Sequence, residues 1–469
     1  MLHIVSIRTE APIDRSRLAT LRSEFKGELF EPTDAGYAEA VRLWNGMIER
    51  RPALVARVAD ERDTQVALRF GNELGLAIAI RGGGHNVSGS ALVDGGVVID
   101  NSARRNVVVD PRAGLVHVDP GVLLGELDAA TAAHGLAVPV GINTTTGLAG
   151  LALGGGIGWM MRRHGLTCDH LVGADVILAD GTPVHATAEE EPELFWGLRG
   201  GGGNFGVVTK FTFRAARLHP DVRAGFVFFS LDEGESVLRR YRDWAAALPG
   251  SVTTIVALRT VLPVMPLPAE LHGRRVVGIG YCEVDPGSAP GPSDLIASFG
   301  TVLASSVRLK PFRDHQAALD ATVPAGHRYY WKSHFLDGLP DGAIEALVEH
   351  HRQTPTSWSY SLVPQLGGAI ERVSNAETAY ANRDAPFAVN INGVAEERMN
   401  DGEIVDWTRR CFDALSPFST GGVYVNFMGN EGEERVRSAY GSAYDRLAQI
   451  KARYDPDNVF RVNQNIRPA

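Results

Sequence analysis

Residues 81–86 read Arg-Gly-Gly-Gly-His-Asn and directly follow the apolar run 76–80, which predicts a β-strand. Glycines have no Cβ atom, so the N–H groups of such a loop can converge on an anion, with the charge of Arg81 at its edge. The loop therefore predicts a cradle for a pyrophosphate, and His85 is placed to reach something larger. Taken alone, the string is more often a tight turn with a solvated histidine.

The composition predicts a globular protein with an ample apolar core. The chain has 469 residues, of which 44% are hydrophobic, enough for two large lobes or roughly three units of about 150 residues. A formal net charge of −9, with scattered basic residues, argues against a nucleic-acid or anionic-membrane partner. The three cysteines are too far apart for a CxxC metal site and cannot form a fully paired disulfide framework, which suits a reducing cytoplasm.

The chain carries no signal for export or membrane insertion. Residues 1–8 lack the basic and apolar regions of a secretory signal, and no apolar run approaches the roughly 20 residues of a membrane span. We therefore expect a soluble, unprocessed, cytoplasmic protein without a membrane partner. A homo-oligomer is compatible with the sequence.

The first half of the chain predicts alternating helices and short strands. Helical spacing of apolar residues predicts a helix over 37–48, and a second helix is expected from Asp63 as N-cap to Gly75. Residues 176–184 predict two strands joined by an Asp-Gly turn. Further short strands are expected at 97–100, 107–110 and 115–119, and a further helix at 123–134.

From about Leu218 the pattern changes to longer strands, such as 226–231 and 276–281, separated by helices such as 236–248. We expect a second lobe there, extending to about residue 426. The last segment predicts one helix through 436–450, followed by a turn. Together the two halves predict an α+β protein.

Two further glycine clusters require a close backbone approach. Residues 147–158 alternate glycine with small apolar residues, so they can pack against a planar ring or thread between strands. Residues 201–206 contain a formal GxGxxG, but 207–213 form a strand pattern where a dinucleotide fingerprint needs a helix. We therefore reject a Rossmann domain, and the sequence contains no P-loop motif.

In this order, the motifs resemble those of the flavin-linked oxidases of the vanillyl-alcohol oxidase and p-cresol methylhydroxylase type, and within them the berberine bridge enzyme-like group. The resemblance covers residues 31–468 and is specific because five weak motifs occur in order. They are the loop 81–85, the run 147–169, the turn 179–181, the segment 194–206 and the ending 455–466.

The resemblance implies an α+β fold with a two-subdomain FAD-binding domain of the p-cresol methylhydroxylase type. It also implies a substrate domain whose large antiparallel sheet is covered by helices and roofs the flavin. The corresponding boundaries are 1–215 for the FAD domain, 216–426 for the substrate domain and 427–469 for a C-terminal segment that returns to the FAD domain.

The resemblance gives His85 a covalent role. In the family this histidine is joined through a ring nitrogen to the 8α-methyl of FAD, by attack of a neutral imidazole. Many relatives form a second bond from a cysteine, at a position that falls here near Asn143. Asparagine has no thiol, so we expect covalent FAD with a single 8α-histidyl link. Thr146 matches a position where relatives place a small residue that gates oxygen, and threonine there leaves the oxygen reactivity open.

Backbone contacts are expected to dominate the rest of the FAD site. The loop 82–86 is assigned to the pyrophosphate, and Gly206 and Val208 to the adenosine end. Asn463 and Asn465 are assigned to the carbonyl edge of the flavin, since an amide offers both donor and acceptor; turn formation before Pro468 is the alternative. The full set of expected cofactor-binding residues is Arg81, Gly82, Gly83, Gly84, His85, Asn86, Gly89, Gly141, Thr145, Gly147, Gly150, Gly155, Gly206, Val208, Asn463 and Asn465.

Tyr424 and Asn426 are the expected catalytic residues. Residues 421–426 alternate, which places these two side chains on one face of a predicted strand. The pair matches the family's Tyr-x-Asn, whose tyrosine is the candidate base or substrate hydrogen bonder. An ordinary phenol is a poor base at neutral pH, so a cation or the polar flavin edge would have to stabilise the phenolate. A structural sheet tyrosine is the alternative.

A second wall of the substrate site is expected from the strand 358–365, with Tyr360 and Gln365 as the polar candidates. Trp331, within the aromatic run 329–332, is expected at the entrance, although aromatic clusters more often serve packing. Because no strong charge is evident near Tyr424, the sequence favours an uncharged or aromatic small-molecule substrate.

These expectations predict an FAD-dependent oxidase. It would remove hydride from an alcohol or amine carbon to flavin N5, and reoxidation by oxygen would give hydrogen peroxide. Sugars, alkaloid-like amines and polyketide alcohols are all compatible substrates. A dehydrogenase using another electron acceptor and a catalytically silent flavin-binding protein remain the alternatives. No metal site is expected.

Overall fold

A four-stranded sheet forms the first unit of the chain. The computed structural model describes residues 14–287 and 291–469, so the expectation for residues 1–8 lies outside the described residues. The elements of this unit are α1 (Arg15–Glu24), β1 (Glu28–Phe30), α2 (Tyr37–Ala40), β2 (Leu54–Arg57), α3 (Glu61–Glu73), β3 (Ile78–Arg81) and β4 (Val97–Asp100). Strands β2 and β3 both pair in parallel with β4. The glycine loop therefore begins at the carboxyl end of a parallel strand, the edge where α/β sheets bind ligands.

Two of the predicted helices differ from the structure at their ends. Helix α2 lasts a single turn, because the chain after Ala40 turns to bury Trp44 instead of continuing the predicted helix. Helix α3 begins after Asp60, whose carboxylate accepts the N–H of Asp63 at 3.0 Å. The predicted N-cap Asp63 lies inside the helix, and its carboxylate instead accepts three backbone N–H groups from neighbouring segments. Gly75 follows with φ +63°, as a helix-ending glycine requires.

A second sheet, of five antiparallel strands in the order β5-β6-β10-β8-β9, forms the second unit. One of its strands, β10 (Val207–Arg214), confirms the strand predicted at 207–213, which was the reason for rejecting a Rossmann domain. Residues 147–158 form one short helix and then a turn with positive φ at Gly155 and Gly156. The elements are β5 (Val107–Asp110), β6 (Leu115–Val118), α4 (Leu124–Ala132), β7 (Leu136–Ala137), α5 (Leu148–Leu153), α6 (Met161–His164), β8 (Leu171–Ile177), β9 (Pro183–Ala186), α7 (Pro192–Leu198), β10 (Val207–Arg214) and β11 (Ala216–Arg217).

An eight-stranded antiparallel sheet forms the third unit, with the strand order β15-β12-β14-β13-β18-β19-β17 and β16 beside β12. Its elements are β12 (Asp221–Ser230), α8 (Gly234–Ala245), β13 (Val252–Thr260), β14 (Arg275–Glu283), β15 (Val302–Ser305), β16 (Arg308–Pro311), α9 (Phe312–Gln316), β17 (Arg328–Leu336), α10 (Asp341–Arg352), β18 (Tyr360–Pro364), α11 (Ala369–Arg372), β19 (Phe387–Ala395) and α12 (Asp401–Leu415). Helices α8, α10 and α12 bury one face of this sheet in a continuous apolar core. The other face of its central strands remains free to form a site.

The chain then returns to the second unit. Two helices, α13 (Glu433–Tyr440) and α14 (Tyr444–Tyr454), replace the single predicted helix, because the chain bends at Gly441 with φ +47°. Both helices pack into the core of the five-stranded sheet. Short 3₁₀ turns complete the architecture, at Thr167–His170, Leu231–Glu233, Ala269–Leu271, Pro292–Ser298, Asp320–Thr322, Arg398–Asn400, Ser416–Phe418, Val425–Phe427 and Gly441–Ala443.

Within the described ranges, no helix is both long and apolar enough to cross a membrane.

Candidate active site

Segments from all three units line a cavity of about 340 Å³, a size typical of small-molecule and cofactor sites. The glycine loop 82–86 forms one wall, and parts of 141–153 form the next. The free face of the large sheet contributes β13, β18 and β19, and residues 424–427 and 462–464 close the remaining sides.

His85 faces this cavity from the end of the glycine loop. Its ring stacks on the indole of Trp44, with centroids 4.2 Å apart, and its buried Nε2 has no hydrogen-bond partner among the described residues. Burial lowers the pKa of His85 to about 4, so the imidazole is neutral at neutral pH and keeps a lone pair for bond formation. Sequence reasoning missed Trp44 because it placed this residue on a helix.

Glycine is required in this loop for backbone packing as well as for backbone conformation. Gly84 has φ +67°. A Cβ on Gly83 would lie 2.5 Å from the Cα of Gly147, so the glycine loop and the start of α5 touch backbone to backbone. Gly150 and Gly203 differ, since a Cβ there would meet nothing within 4 Å. Those two positions border open space along the cavity wall.

The Arg81 guanidinium lies beside Gly84 of the loop and binds the segment before α3. Its Nη1 and Nη2 donate to the carbonyl oxygens of Ala40 and Arg42 at 2.6 and 3.0 Å, and its Nε lies 3.8 Å from Asp100 Oδ1. The guanidinium therefore stabilises the segment that carries Trp44 and also keeps a positive charge at the edge of the loop, and its role towards an anion stays a prediction.

The structure brings most of the predicted site residues to one cavity. Those that line it are Gly82, Gly83, Gly84, His85, Asn86, Gly141, Gly147, Gly150, Asn463, Tyr424, Asn426, Tyr360 and Trp331. Those that do not line it are Arg81, Gly89, Thr145, Gly155, Gly206, Val208, Asn465 and Gln365.

The residues assigned to the adenosine end pack within the sheet, and their backbone contact with a cofactor stays a prediction. A Cβ on Gly206 would lie 2.4 Å from Val176 Cγ1, so the glycine lets β10 pass close to β8. Val208 is buried in the core of the same sheet. Gly89 and Gly155 are likewise packed, against Ile48 and Tyr380, with positive φ.

A buried lysine anchors the C-terminal wall. Lys451 Nζ donates to Asp455 Oδ2 at 2.6 Å and to the carbonyl oxygens of Asn204 and Phe460 at 2.7 and 2.9 Å. Asn463 Nδ2 donates to the Gly203 carbonyl at 2.9 Å. The Oδ1 atoms of Asn463 and Asn465 are buried without a described partner, so they are acceptors available to a bound group.

Asn143 lines the cavity at the position where a second covalent link was considered. Its Oδ1 accepts the N–H and hydroxyl of Thr145 at 3.0 and 2.6 Å, which assigns Thr145 to turn formation. Its Nδ2 is buried without a described partner. The side chain thus offers the cavity a hydrogen-bond donor, and Thr146 lines the cavity beside it.

Tyr424 and Asn426 meet, although not on a strand. Residues Val425–Phe427 form a 3₁₀ turn, so the predicted strand is wrong: the segment packs into the core instead of pairing with a sheet. Tyr424 Oη accepts the N–H of Gly156 and the Nδ2 of Asn426, both at 2.8 Å. Asn426 Nδ2 also donates to the Leu151 carbonyl at 3.1 Å.

Burial raises the pKa of Tyr424 to about 12, although the hydrogen bonds from Gly156, Asn426 and Ile157 lower it. The phenol is therefore protonated at neutral pH. Because N–H donors already occupy the acceptor positions of the oxygen, its proton is available to a group in the cavity. These N–H donors, and not a cation, would stabilise the phenolate.

Strand register decides which roof residues face the cavity. Arg259 of β13 lies opposite Tyr360 of β18, which lies opposite Asn392 of β19, which lies opposite Trp331 of β17. Gln365 lies an odd number of residues after Tyr360 and so faces the helices. It donates to the Ala245 carbonyl at 2.6 Å and accepts from Thr254 Oγ1 at 3.0 Å. The expected substrate contact of Gln365 is therefore wrong.

Arg259 is a cavity residue that sequence reasoning missed. It is 4% exposed, and among the described residues lining the cavity it is the only one with a permanent charge. Burial lowers its pKa to about 10, so it remains charged at neutral pH. An arginine within the otherwise uncharged strand 252–260 was the signal. The sequence expectation considered only charge near Tyr424 and did not include Arg259, which lines the same cavity.

Comparison with known proteins identifies the family. Residues 52–187 match an FAD binding domain, and residues 423–467 match a "berberine and berberine like" domain. An FAD-linked oxidoreductase of Dictyostelium discoideum is 30% identical over 94% of this chain and 95% of its own. The chain belongs to the berberine bridge enzyme-like FAD-linked oxidoreductases. The resemblance, the α+β fold and the assignment as an FAD-dependent oxidoreductase of an oxidase family are thereby confirmed.

Other berberine bridge enzyme-like proteins match over nearly their whole length. (R)-6-hydroxynicotine oxidase of Paenarthrobacter nicotinovorans is 28% identical over 97% of this chain and 99% of its own. The crystal structure of 6-hydroxy-D-nicotine oxidase from Arthrobacter nicotinovorans superposes with a TM-score of 0.85, at 26% identity, over 95% of this chain and 98% of that one. A chitooligosaccharide oxidase structure, at 22% identity, has the same fold with a TM-score of 0.85, over 97% of this chain and 100% of its own.

Proposed function

We propose that the protein oxidises an alcohol or amine carbon of a small organic molecule and forms hydrogen peroxide from oxygen. The observation that carries the proposal is the convergence of His85 and the Tyr424–Asn426 pair on one cavity. When bound, FAD supplies a ring that accepts a hydride and returns the two electrons to oxygen. Relatives named oxidases of 6-hydroxynicotine, xylooligosaccharide and chitooligosaccharide support this class of reaction.

The cavity residues fit FAD. The neutral, unpartnered His85 would hold it covalently, and the N–H groups of 82–86 would bind its phosphates. Gly150 and Gly203 leave room for a flat ring, while the free Oδ1 of Asn463 accepts and the free Nδ2 of Asn143 donates hydrogen bonds. Because Asn143 cannot form a thioether, we infer a single histidyl link.

Tyr424 would position the substrate and handle its proton. The oxidised carbon loses a hydride, and its hydroxyl or amine loses a proton. In the neutral state Tyr424 donates its proton to the substrate heteroatom, which orients the reacting C–H bond. In its minor phenolate state, stabilised by the N–H of Gly156 and by Asn426, it accepts the substrate proton. Because burial raises the pKa of Tyr424 to about 12, the rate of hydride loss should increase with pH throughout the neutral range.

We propose oxygen as the electron acceptor because the relatives are named oxidases, and reoxidation of the reduced flavin tests this directly. Thr146 lines the cavity, and the resemblance implies that the side chain at this position would control the approach of oxygen. The purified protein is reduced without air by a substrate from a panel of sugars, benzylic alcohols and cyclic amines, and is then mixed with oxygen. Rapid reoxidation with one peroxide per turnover supports an oxidase. Slow reoxidation, with fast electron transfer to an artificial dye, would instead identify a dehydrogenase. A flavin that no panel member reduces would favour a catalytically silent flavin protein.

A further inference from the structure

Arg259 is part of the cavity wall that the large sheet forms. It extends from β13 on the same face as Ile255, which also lines the cavity. Its guanidinium carbon lies 5.4 Å from the ring centroid of Tyr360, the residue directly opposite it in the sheet. The guanidinium therefore lies against an aromatic ring in a residue that lines the cavity.

Its hydrogen-bonding capacity is almost unused. Only Nε makes a described hydrogen bond, a long one of 3.4 Å to the Thr260 carbonyl, and the buried Nη2 has no partner. No described carboxylate forms an ion pair with it. Burying a cation without hydrogen-bonding or ion-pair partners is unfavourable, so the presence of Arg259 here indicates a bound anion.

The other two buried arginines among the described residues have hydrogen-bond or ion-pair partners for their guanidinium groups. Arg162 donates to three backbone carbonyl oxygens, from Val252, Leu366 and Leu248. Arg383 forms an ion pair with Asp169, with Nη2 at 2.6 Å from Oδ1. Neither lines the cavity. Arg259 is thus distinguished by both its free donors and its place in the site.

The charge and shape of the cavity favour a carboxylate over other anions. The free Nη groups form a planar fork that matches a carboxylate in two parallel hydrogen bonds. A single positive charge, in a cavity lined by no described Asp, Glu or Lys, balances one negative charge but not the two of a phosphate monoester. Trp331 and Tyr360 add aromatic walls on the same face.

We propose that Arg259 binds a carboxylate of the substrate, so that the enzyme acts on small, ring-bearing alcohols or amines that carry one carboxylate group. This assignment rests on the proposed function, since it names the substrate class of the same site. Arg259 acts in recognition, by orienting the substrate toward Tyr424, and takes no part in proton or hydride transfer.

The test uses the purified holoenzyme and three matched ligand pairs: benzoate and benzamide, phenylacetate and phenylacetamide, cyclohexanecarboxylate and its amide. Dissociation constants are measured from changes in the flavin absorbance and by calorimetry. At least one carboxylate should bind roughly 10- to 100-fold more tightly than its amide, the scale of a hydrogen-bonded charge pair. Phenylphosphonate, measured at a pH above its second ionisation so that it is a dianion, should bind less tightly than that carboxylate at the same pH.

Substitutions of Arg259 test whether this residue causes the preference for carboxylates over amides. Arg259→Met should bind acid and amide equally, whereas Arg259→Lys, which keeps the charge without the fork, should retain a reduced preference. Arg275→Met removes an exposed arginine opposite Thr260 on the neighbouring strand and should leave the preference unchanged. Circular dichroism and flavin content establish that each variant folds. If Arg259→Met does not fold, Arg259→Lys decides: an undiminished preference overturns the assignment.

Three outcomes contradict it: no carboxylate preference in any pair of the wild type, a preference that survives in folded Arg259→Met, or tighter binding of the phosphonate. Because the binding measurements need no turnover, they are independent of oxidase activity. Peroxide formation without carboxylate preference would overturn only the role of Arg259. Carboxylate preference in a protein that never reduces its flavin would overturn only the proposed oxidase reaction.

Discussion

Removing the Tyr424 hydroxyl is the most direct test of the proposed chemistry. In Tyr424→Phe the ring still packs beside Phe427, whose centroid lies 4.8 Å away, but the site loses its proton-handling group. We expect substrate-driven flavin reduction to slow by roughly 10²-fold or more, the usual effect of losing a positioned acid–base group. Anaerobic stopped-flow bleaching of the flavin measures this step without the reoxidation reaction.

The structure adds a stability effect to the same substitution. Gly156 N–H would lose its acceptor in a buried position, while Asn426 Nδ2 keeps the Leu151 carbonyl. One buried donor left unpaired costs about 1–3 kcal/mol of unfolding free energy. Urea unfolding should therefore show a loss of this size, and flavin content must be checked before the rates are compared.

Tyr380→Phe is the matched control. The Tyr380 ring lies 6.1 Å from that of Tyr424, and its hydroxyl is buried without a described partner. Removing this hydroxyl breaks no hydrogen bond, so flavin reduction should be unchanged and stability unchanged or slightly higher. A wild-type rate in Tyr424→Phe, or an equal rate loss in Tyr380→Phe, would refute the assigned role of Tyr424.

Three further predictions follow from the cofactor site and the core. Wild-type protein precipitated with acid should retain fluorescent flavin at one FAD mass per chain, and His85→Ala should release all of its FAD; free FAD from the wild type would disprove the link. Gly83→Ala should reduce FAD loading because its Cβ would lie 2.5 Å from Gly147 Cα, whereas Gly402→Ala, with open space around its Cβ, should load fully; full loading of both would show that the loop tolerates the contact. Burial lowers the pKa of His315 to about 3, below its usual value, so stability present above about pH 6.5 should be lost as pH falls toward 3. Between pH 6.5 and pH 3, His315→Leu should lose less free energy of unfolding than the wild type, by about a few kcal/mol. Melting temperatures measured across this pH range check the difference, and an equal loss in both proteins would contradict a buried neutral imidazole.

Local sequence patterns correctly predicted many of the helices and strands. The strand before the glycine loop, the short strands 97–100 and 107–110, and the helix ending before Gly135 all depend on local propensity and turn chemistry, and all are present. Strand 207–214 followed the third glycine cluster as predicted, and this local pattern was enough to exclude a Rossmann domain.

Predictions failed where tertiary contacts outweighed local pattern. The alternation of 421–426 is a strand pattern, yet Tyr424 lies at a 3₁₀ turn because Gly156 N–H and Asn426 Nδ2 both donate to its hydroxyl. Trp44 leaves its helical register to stack between His85 and Tyr329.

The sequence by itself determined the family and the FAD-linked chemistry, and it named His85, Tyr424 and Tyr360 as candidate site residues, because ordered motifs are local properties of the chain. Only the tertiary structure decided which polar groups are left without partners. Arg259 lies in β13, and Gln365 directly follows β18. Gln365 faces the helices and donates to the Ala245 carbonyl, whereas Arg259 lines the cavity. Whether a buried charge is satisfied depends on neighbours distant in sequence, and that information exists only once the strands are paired.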